Sequence, residues 1–365
     1  MKIEPMKLER WLLRPCEIDV GGGGVAKLKL EDVTTSIDYK QTLGYGPTNG
    51  SLQIRQEISD WFPGTTPDNV LVTSATSEAN LIVNLALLNP GDEYVAVMPE
   101  YGQTAPVAQF LGCTTKMVFL NEDTDWELNL EALNETVSKK TKIVFFNNPN
   151  NPTGALLTSA QMKSICEIAS DVDAYVVCDN ALRGSEFDGK PAATPFEHYE
   201  KGIVTGSLSK LGITSFRIGW LIASNKLVDD CWKFKDYTTL SHSAIGEYLA
   251  TIVLRRENRE RYIERNLAMS KANCETLSNW VNANSRMVSW IRPKASFTAF
   301  LKYKFKMNSE DFCERLLAQE KVLVSPGTHF GVDNHMRFNI GCKPETVTEA
   351  LRRLSRFMGG LPQKT

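Results

Sequence analysis

The chain has 365 residues, of which 42% are hydrophobic and 23% are charged, proportions that are ordinary for a soluble globular protein. Its formal net charge of −2 gives no electrostatic reason to expect nucleic acid or an anionic membrane as a partner. The charged N-terminus lacks the apolar run of a signal peptide, and no segment approaches the roughly 18 apolar residues of a membrane span. This length favours one substantial domain with a smaller one.

Short apolar runs alternate with amphipathic stretches over most of the chain. The predicted buried strands are 70–73, 94–97, 142–146, 174–178 and 202–205, and helices are predicted between them at 77–88 and 159–170. Strands that alternate with helices predict an α/β fold with a mainly parallel sheet covered on both faces. In such sheets the ligand site lies at the carboxyl ends of the strands.

The pattern changes near residue 255. A long polar helix is predicted at 255–283, followed by strand and turn at 286–304 and by amphipathic helices at 309–320 and 344–358. This end of the chain therefore indicates a small α+β domain. We expect a large cofactor-binding domain over 41–265 and a small domain over 266–365, with residues 1–40 packing against the small domain.

The eight cysteines are scattered along the chain, and none of them forms a CxxC pair. This argues against a structural zinc site, and we predict no metal site. Several of the cysteines lie in apolar stretches, as buried free thiols commonly do. A reducing compartment is the simplest interpretation, so we expect a cytoplasmic protein.

The strongest single motif surrounds Lys210. Two hydroxyls, Ser207 and Ser209, precede this lysine after a predicted strand, and Arg217 follows it by seven positions. A lysine amine forms a Schiff base with an aldehyde once it is deprotonated, which burial or a nearby cation promotes. The serines and the arginine are donors of the kind that hold a phosphate dianion.

This segment, 207–220, resembles the lysine signature of the class I/II aminotransferases, which belong to the fold-type I superfamily of pyridoxal 5′-phosphate (PLP) enzymes. The resemblance implies PLP as cofactor, Lys210 as the catalytic residue, and a large domain with a mainly parallel, seven-stranded sheet. The spacing from Lys210 to Arg217 matches some branches of the family. The usual Pro-Gly before the arginine is replaced by Thr214-Ser215-Phe216.

Two further motifs follow predicted strands. The run 147–154 resembles the family's Asn/Pro loop, which implies that Asn151 binds the phenolic oxygen of PLP; alone it would be an ordinary turn. Asp179 matches the carboxylate that faces the pyridine nitrogen and favours the protonated ring, although a strand-terminal aspartate can also cap a turn. The family's frequent tyrosine three positions later is Leu182, which removes one hydrogen bond to the phenolate and weakens the case for routine transamination.

Three more matches concern the phosphate and the ring. Ala75, Thr76 and Ser77 match the phosphate turn at a helix N-terminus, with Ala75 in place of a frequent glycine. A plain N-cap at Thr76 or Ser77 is the alternative. Tyr101 matches the ring that stacks on the pyridine. Tyr45 matches the tyrosine that reaches the phosphate from a neighbouring subunit, which implies a homodimer with shared sites.

The candidates for binding an amino-acid substrate come from three places. Arg337, in the run 336–341, resembles the arginine that clamps the substrate α-carboxylate, and Asn151 lies in the cofactor loop. The four glycines at 21–24 form either a flexible connector or a loop that approaches a ligand closely. We therefore include Gly23 as a candidate substrate contact.

Short segments at 8–12, 339–346 and 351–354 are similar to those of the branch that contains capreomycidine synthase, whose members dehydrate and cyclise hydroxylated arginine in natural-product pathways. The leading hypothesis is therefore a guanidino amino-acid cyclase, with Glu9 as a carboxylate partner for the guanidinium. An aminotransferase that moves the amino group of an L-amino acid to a 2-oxo acid is the alternative. A non-catalytic PLP-binding regulator is a third hypothesis, against which the joint presence of Lys210, Asp179, Asn151 and Arg337 argues.

Overall fold

The computed structural model of the protein describes residues 3–362. The strands are β1 (Ile18–Asp19), β2 (Val70–Thr73), β3 (Glu93–Met98), β4 (Thr114–Phe119), β5 (Thr141–Asn147), β6 (Tyr175–Asp179), β7 (Gly202–Ser207), β8 (Gly219–Ile222), β9 (Val288–Trp290), β10 (Thr298–Tyr303), β11 (Val322–Leu323), β12 (Ser325–Pro326) and β13 (His335–Asn339). The α-helices are α1 (Lys7–Trp11), α2 (Leu30–Val33), α3 (Leu52–Ser59), α4 (Ala75–Leu87), α5 (Thr104–Phe110), α6 (Leu130–Thr136), α7 (Ser159–Ser170), α8 (Asn225–Lys235), α9 (Ala244–Leu254), α10 (Arg256–Ala283), α11 (Ser309–Glu320) and α12 (Pro344–Gly359).

The main sheet has seven strands in the order β2-β8-β7-β6-β5-β3-β4. Its neighbours pair in parallel except at β8, which runs antiparallel to both β2 and β7. Buried apolar side chains line the inner strands, as expected of a sheet whose two faces are both covered by helices. The predicted α/β class is therefore confirmed, while the reversed strand β8 was not predicted.

A second sheet lies in the C-terminal part of the chain. Its four antiparallel strands run in the order β12-β13-β10-β9, and helices α11 and α12 pack beside it around a shared apolar core. The N-terminal strand β1 pairs in parallel with β11, at Ile18↔Val322. Helix α10 runs without a break through the domain boundary predicted at 265/266, so the location of that boundary stays a prediction.

Strand register places the ends of three central strands side by side. Asn147 at the end of β5 is paired with Asp179 at the end of β6, which is in turn paired with Thr205 near the end of β7. The segments that follow these strands therefore emerge at one edge of the sheet. Among residues 3–362 there is no helix with the length and apolar character needed to cross a bilayer.

Candidate active site

A cavity of about 490 Å³ lies at this carboxyl edge of the main sheet. The residues predicted for cofactor and substrate meet in it, namely Glu9, Gly23, Ala75, Thr76, Ser77, Tyr101, Asn151, Asp179, Ser207, Ser209, Lys210, Arg217 and Arg337. Tyr45 is the exception, because it borders a different cleft and its side chain is 86% exposed. The predicted use of Tyr45 by a neighbouring subunit stays a prediction.

Lys210 is held in a short 3₁₀ turn that follows β7 and ends at Gly212, whose φ of +99° suits glycine. Its amine donates a hydrogen bond of 2.7 Å to the carbonyl oxygen of Gly23. Burial, assisted by the nearby Arg337 cation, lowers the pKa of Lys210 to about 8. A substantial part of this amine is therefore neutral, and nucleophilic, near physiological pH.

Asp179 is held at the end of β6 by two donors. Its Oδ1 accepts from the backbone N–H of Ala181 at 3.0 Å, and its Oδ2 accepts from the Asn80 amide at 3.0 Å. The Asn80 amide oxygen in turn accepts from the Thr205 hydroxyl at 2.7 Å. Burial raises the pKa of Asp179, and the two donors oppose that change by stabilising the carboxylate. The alternative turn-capping contact is therefore present at Asp179, and its predicted contact with the pyridine nitrogen stays a prediction.

Asn80 is a residue that the sequence reasoning missed. It lies one helical turn beyond Thr76 on α4, and it is 2% exposed. A polar residue at that i+4 position, directly below a proposed phosphate turn, is the signal that would have identified it.

The other wall residues that the motifs did not single out as contacts are Leu12, Gly24, Gln103, Asn147, Pro149, Ala181, Leu182 and Thr214. Among these, Gln103 donates to the carbonyl oxygen of Ser77 at 2.8 Å and so ties the start of α5 to the start of α4. No sequence motif marks Gln103, because its position depends on how two helices meet.

The N-terminal end of α4 forms one end of the cavity. The helix begins at Ala75 with Ser74 as N-cap residue, so the alternative of a plain N-cap at Thr76 or Ser77 was wrong. Ala75 has a φ of +70°, which explains why glycine is frequent at this position in the family. The Thr76 hydroxyl is buried and has no hydrogen-bond partner among residues 3–362.

Arg217, whose side chain is exposed, lines the same cavity and adds a cation to this donor set. An unpaired buried hydroxyl, free backbone N–H groups at a helix start and a guanidinium together fit a phosphate dianion. The residues present are therefore chemically suited to the phosphate of PLP.

Arg337 occupies another part of the cavity wall on β13. It is 1% exposed, and its guanidinium donates to the Gly21 carbonyl oxygen at 2.7 Å and to the Asn151 amide oxygen at 3.2 Å. Burial lowers the pKa of Arg337 to about 10, so the side chain remains a cation at neutral pH. The glycine run at 21–24 thus contacts both Arg337 and Lys210 through its carbonyl groups.

Helix α1 brings Glu9 to the cavity. The helix is anchored by buried Leu8 and by Trp11, whose indole N–H donates to the Val324 carbonyl oxygen at 2.7 Å. The Glu9 carboxylate accepts a hydrogen bond from the Tyr101 hydroxyl. Burial and the Glu9 charge both raise the pKa of Tyr101, so its hydroxyl stays protonated. The cavity therefore presents a carboxylate as well as the Arg337 cation.

The family of class I and II aminotransferases matches residues 25–354 of the chain. Capreomycidine synthase from Streptomyces vinaceus is 28% identical over 315 residues, which are 86% of this chain and 80% of that protein. A probable aspartate aminotransferase from Methanocaldococcus jannaschii is 27% identical over 336 residues, 88% of this chain and 87% of that protein.

Solved structures give the same result. A PLP-dependent aminotransferase from Streptococcus suis is 30% identical with a TM-score of 0.94 over the whole of both chains. The PLP-dependent cyclase OrfR is 26% identical with a TM-score of 0.90 over 98% of both chains. These comparisons confirm the predicted family, fold class and cofactor. The chain therefore belongs to the class I and II aminotransferase family and is a PLP-dependent enzyme.

Proposed function

We propose that the enzyme removes a hydroxyl group, as water, from a hydroxylated arginine and closes a ring through the guanidino group, in natural-product biosynthesis. The observation that carries this proposal is the Glu9 carboxylate, which lies in the same cavity as Lys210 and Arg337. A substrate with a carboxylate at one end and a guanidinium at the other needs two binding groups of opposite charge. The similarity to capreomycidine synthase and to the cyclase OrfR supports the same reading.

Each polar cavity residue that the sequence motifs identified has a proposed task. Bound PLP supplies an electron sink that stabilises negative charge at the substrate Cα. Lys210 attaches the cofactor and, once displaced by the substrate amine, removes the Cα proton. Asp179 holds the proton on the pyridine nitrogen, Asn151 donates to the phenolic oxygen, and Arg337 holds the substrate α-carboxylate.

The phosphate of the cofactor is assigned to a separate set of donors. We propose that Thr76 and Ser77 bind it together with Ser207, Ser209 and Arg217. In this arrangement the Tyr101 ring stacks on the pyridine. The Ala75 backbone completes the turn around the phosphate.

Leu182 gives a second reason to favour elimination over transamination. In many family members a tyrosine at this position contacts the phenolic oxygen of the cofactor, whereas Leu182 has no donor and is 4% exposed. The cofactor oxygen then depends on fewer hydrogen bonds, which alters how the cofactor stabilises charge. The aminotransferase alternative is supported by the Streptococcus suis structure and by the aspartate aminotransferase relatives.

The deciding experiment separates these two reactions. The PLP-loaded enzyme is incubated with hydroxylated arginines and with L-arginine, with and without a 2-oxo acid, and the products are followed by mass spectrometry. We expect loss of one water from a hydroxylated arginine without any requirement for the oxo acid. Exchange of the amino group with the oxo acid, and no loss of water, would establish the aminotransferase instead.

Glu9→Gln tests the guanidinium contact, because it keeps the shape of the side chain and removes its charge. We expect KM for the hydroxylated arginine to rise by about tenfold or more, as for loss of a charged hydrogen bond. Glu4→Gln, on an exposed residue of the same segment, is the matched control. An unchanged KM in Glu9→Gln would remove Glu9 from the substrate site.

We further propose a homodimer in which Tyr45 reaches the phosphate of the neighbouring subunit. Large apolar side chains are exposed in the segments near Tyr45 and near α9, namely Tyr39, Leu43, Leu52, Tyr237, Leu240 and Ile245. Exposed apolar side chains of this kind suit contact with a second copy of the chain.

Mixing two inactive variants tests this sharing of sites. Lys210→Ala and a Tyr45 variant that fails to hold PLP would together form hybrid dimers with one intact site. We expect the mixture to recover activity that neither variant has alone. A monomer in sedimentation, or a mixture without recovery, would contradict the proposal.

A further inference from the structure

Arg337 lies at the end of a continuous row of packed rings, which we call the aromatic row: Phe330, Phe300, His335 and Trp126. The Arg337 guanidinium carbon is 4.7 Å from the centre of the Phe330 ring. Phe330 meets Phe300 edge-on at 6.0 Å, and Phe300 stacks on His335 at 4.6 Å with 19° between the planes. Trp126 packs against both Phe300 and His335, at 5.8 and 5.7 Å.

The far end of the row belongs to another part of the fold. Trp126 lies in a small loop between β4 and α6 that is closed by an antiparallel bridge between Asn121 and Glu127. The other rings belong to the C-terminal four-stranded sheet and to the turn that precedes β13. The row therefore connects a loop of the seven-stranded sheet with the strand that carries Arg337.

The backbone of this loop is strained at the residue that makes the contact. Asp125 and Trp126 have φ values of +57° and +61°, and a bulky side chain rarely adopts this left-handed conformation. Such a conformation persists only when surrounding contacts enforce it, and it is concentrated at functional sites. Trp126 is 4% exposed, and its contacts with Phe300 and His335 are part of the packing that holds it there.

A charged contact reinforces the same junction. Glu122 of the loop accepts from the Lys302 amine at 2.7 Å, and its other oxygen lies 3.3 Å from Nε2 of His335. The second ring nitrogen of His335 lies 2.8 Å from the Asp333 carbonyl oxygen. The Asp333 carbonyl and the Glu122 carboxylate therefore hold the His335 ring from its two nitrogens. The hydrogen bond from His335 lowers the pKa of Glu122 to about 2, which keeps that carboxylate charged.

We propose that Trp126 and Glu122 are positioning residues for Arg337, which act through the aromatic row to hold the guanidinium where it meets the substrate carboxylate. This inference rests on the carboxylate-binding role proposed for Arg337. It assigns a role in substrate recognition to a loop that lines neither the phosphate nor the lysine. A loss of the row would leave PLP bound and would loosen only the carboxylate contact.

The test compares two probes that differ by one carboxylate, L-alanine and ethylamine. Each is titrated into the PLP-loaded enzyme, and its dissociation constant is read from the change in cofactor absorbance. We expect the wild-type enzyme to prefer L-alanine. Trp126→Leu and Phe330→Leu keep an apolar side chain but remove the ring. In both variants that preference should fall by about tenfold, within the range of coupling through packed residues.

Three comparisons make the result specific. Trp126→Phe retains a ring and should recover most of the preference, whereas Trp280→Leu, in the core beside α12 and outside the row, should not change it. Affinity for PLP should be the same in every variant. A Trp126→Leu enzyme that keeps the full preference would overturn the inference alone. A wild-type enzyme without any preference would instead overturn the role of Arg337, and the inference with it.

Discussion

The rate at which PLP attaches to Lys210 should depend on pH in a way set by the burial of this lysine. Only the neutral amine attacks the cofactor aldehyde. A pKa of about 8 instead of the ordinary 10.5 makes the neutral amine about 300-fold more abundant at pH 7, from the ratio of the two ionisation constants. We expect the attachment rate to rise with pH and to level off above about 8.

The assay mixes apoenzyme with PLP at a series of pH values and follows the visible absorbance of the lysine-bound cofactor. Lys210→Ala should show no such band, which identifies the signal. A midpoint near 10.5 would refute the reasoning, because it would mean that Lys210 is solvated as an ordinary surface lysine. A flat profile would equally refute it, since it would show that deprotonation does not limit the reaction.

A variant separates the two causes of the low pKa. The Arg337 cation is the second contribution after burial, so Arg337→Met should raise the pKa of Lys210 and move the midpoint to higher pH. Arg352→Met, on an exposed residue of α12, is the matched control and should leave the midpoint in place. An Arg337→Met midpoint at or below that of the wild-type enzyme would show that burial alone is responsible.

Three further predictions concern the cofactor site. Asn80→Ala leaves a buried Asp179 oxygen without its donor, at a cost of about 1–3 kcal/mol. PLP should therefore bind about tenfold more weakly, as measured by fluorescence titration. Equal affinity would show that Asn80 is dispensable. Thr76→Val keeps the shape of the side chain, so we expect weaker PLP binding with little change in the Tm of the apoenzyme, and unaltered binding would exclude a phosphate contact. Ala75→Gly relieves the backbone strain of a left-handed residue, so it should stabilise the apoenzyme by about 1 kcal/mol in urea unfolding. A loss of stability would show that the φ of +70° carries no strain.

The sequence predicted the architecture well because parallel α/β sheets leave a simple signal. Strands such as 142–146 and 174–178 are buried on both faces, so they are continuous apolar runs that are found without knowledge of their partners. The ligand site of such a sheet lies at the carboxyl ends of its strands, so residues as distant in the chain as Thr76 and Lys210 could be assigned to one site. The antiparallel direction of β8 was not predicted, because a short apolar run does not indicate the direction of the strands beside it.

The contacts that were missed depend on tertiary position. Asn80 reaches Asp179 across 99 positions of the chain, and Tyr101 reaches Glu9 across 92. The aromatic row is still less visible in the sequence, since Trp126 lies in the loop after β4 and Phe330 lies in the turn before β13, far apart in the chain. A motif search finds residues that the chemistry requires close together in the sequence. It misses contacts between residues that only the fold brings together.

Burial changes the pKa values of Lys210 and Asp179, two residues of the proposed chemistry, in opposite directions. Removal from water penalises charge, so burial lowers the pKa of Lys210 and raises that of Asp179. For Lys210 the penalty is useful, because a neutral amine is what attaches the cofactor and removes a proton. For Asp179 it is harmful, because a charged carboxylate is what retains the proton of the pyridine nitrogen. The fold opposes this penalty with two hydrogen-bond donors to Asp179, whereas within residues 3–362 the Lys210 amine donates only to the Gly23 carbonyl oxygen. We therefore expect the loss of a donor to Asp179, such as Asn80, to weaken the proposed chemistry even while Lys210 stays buried.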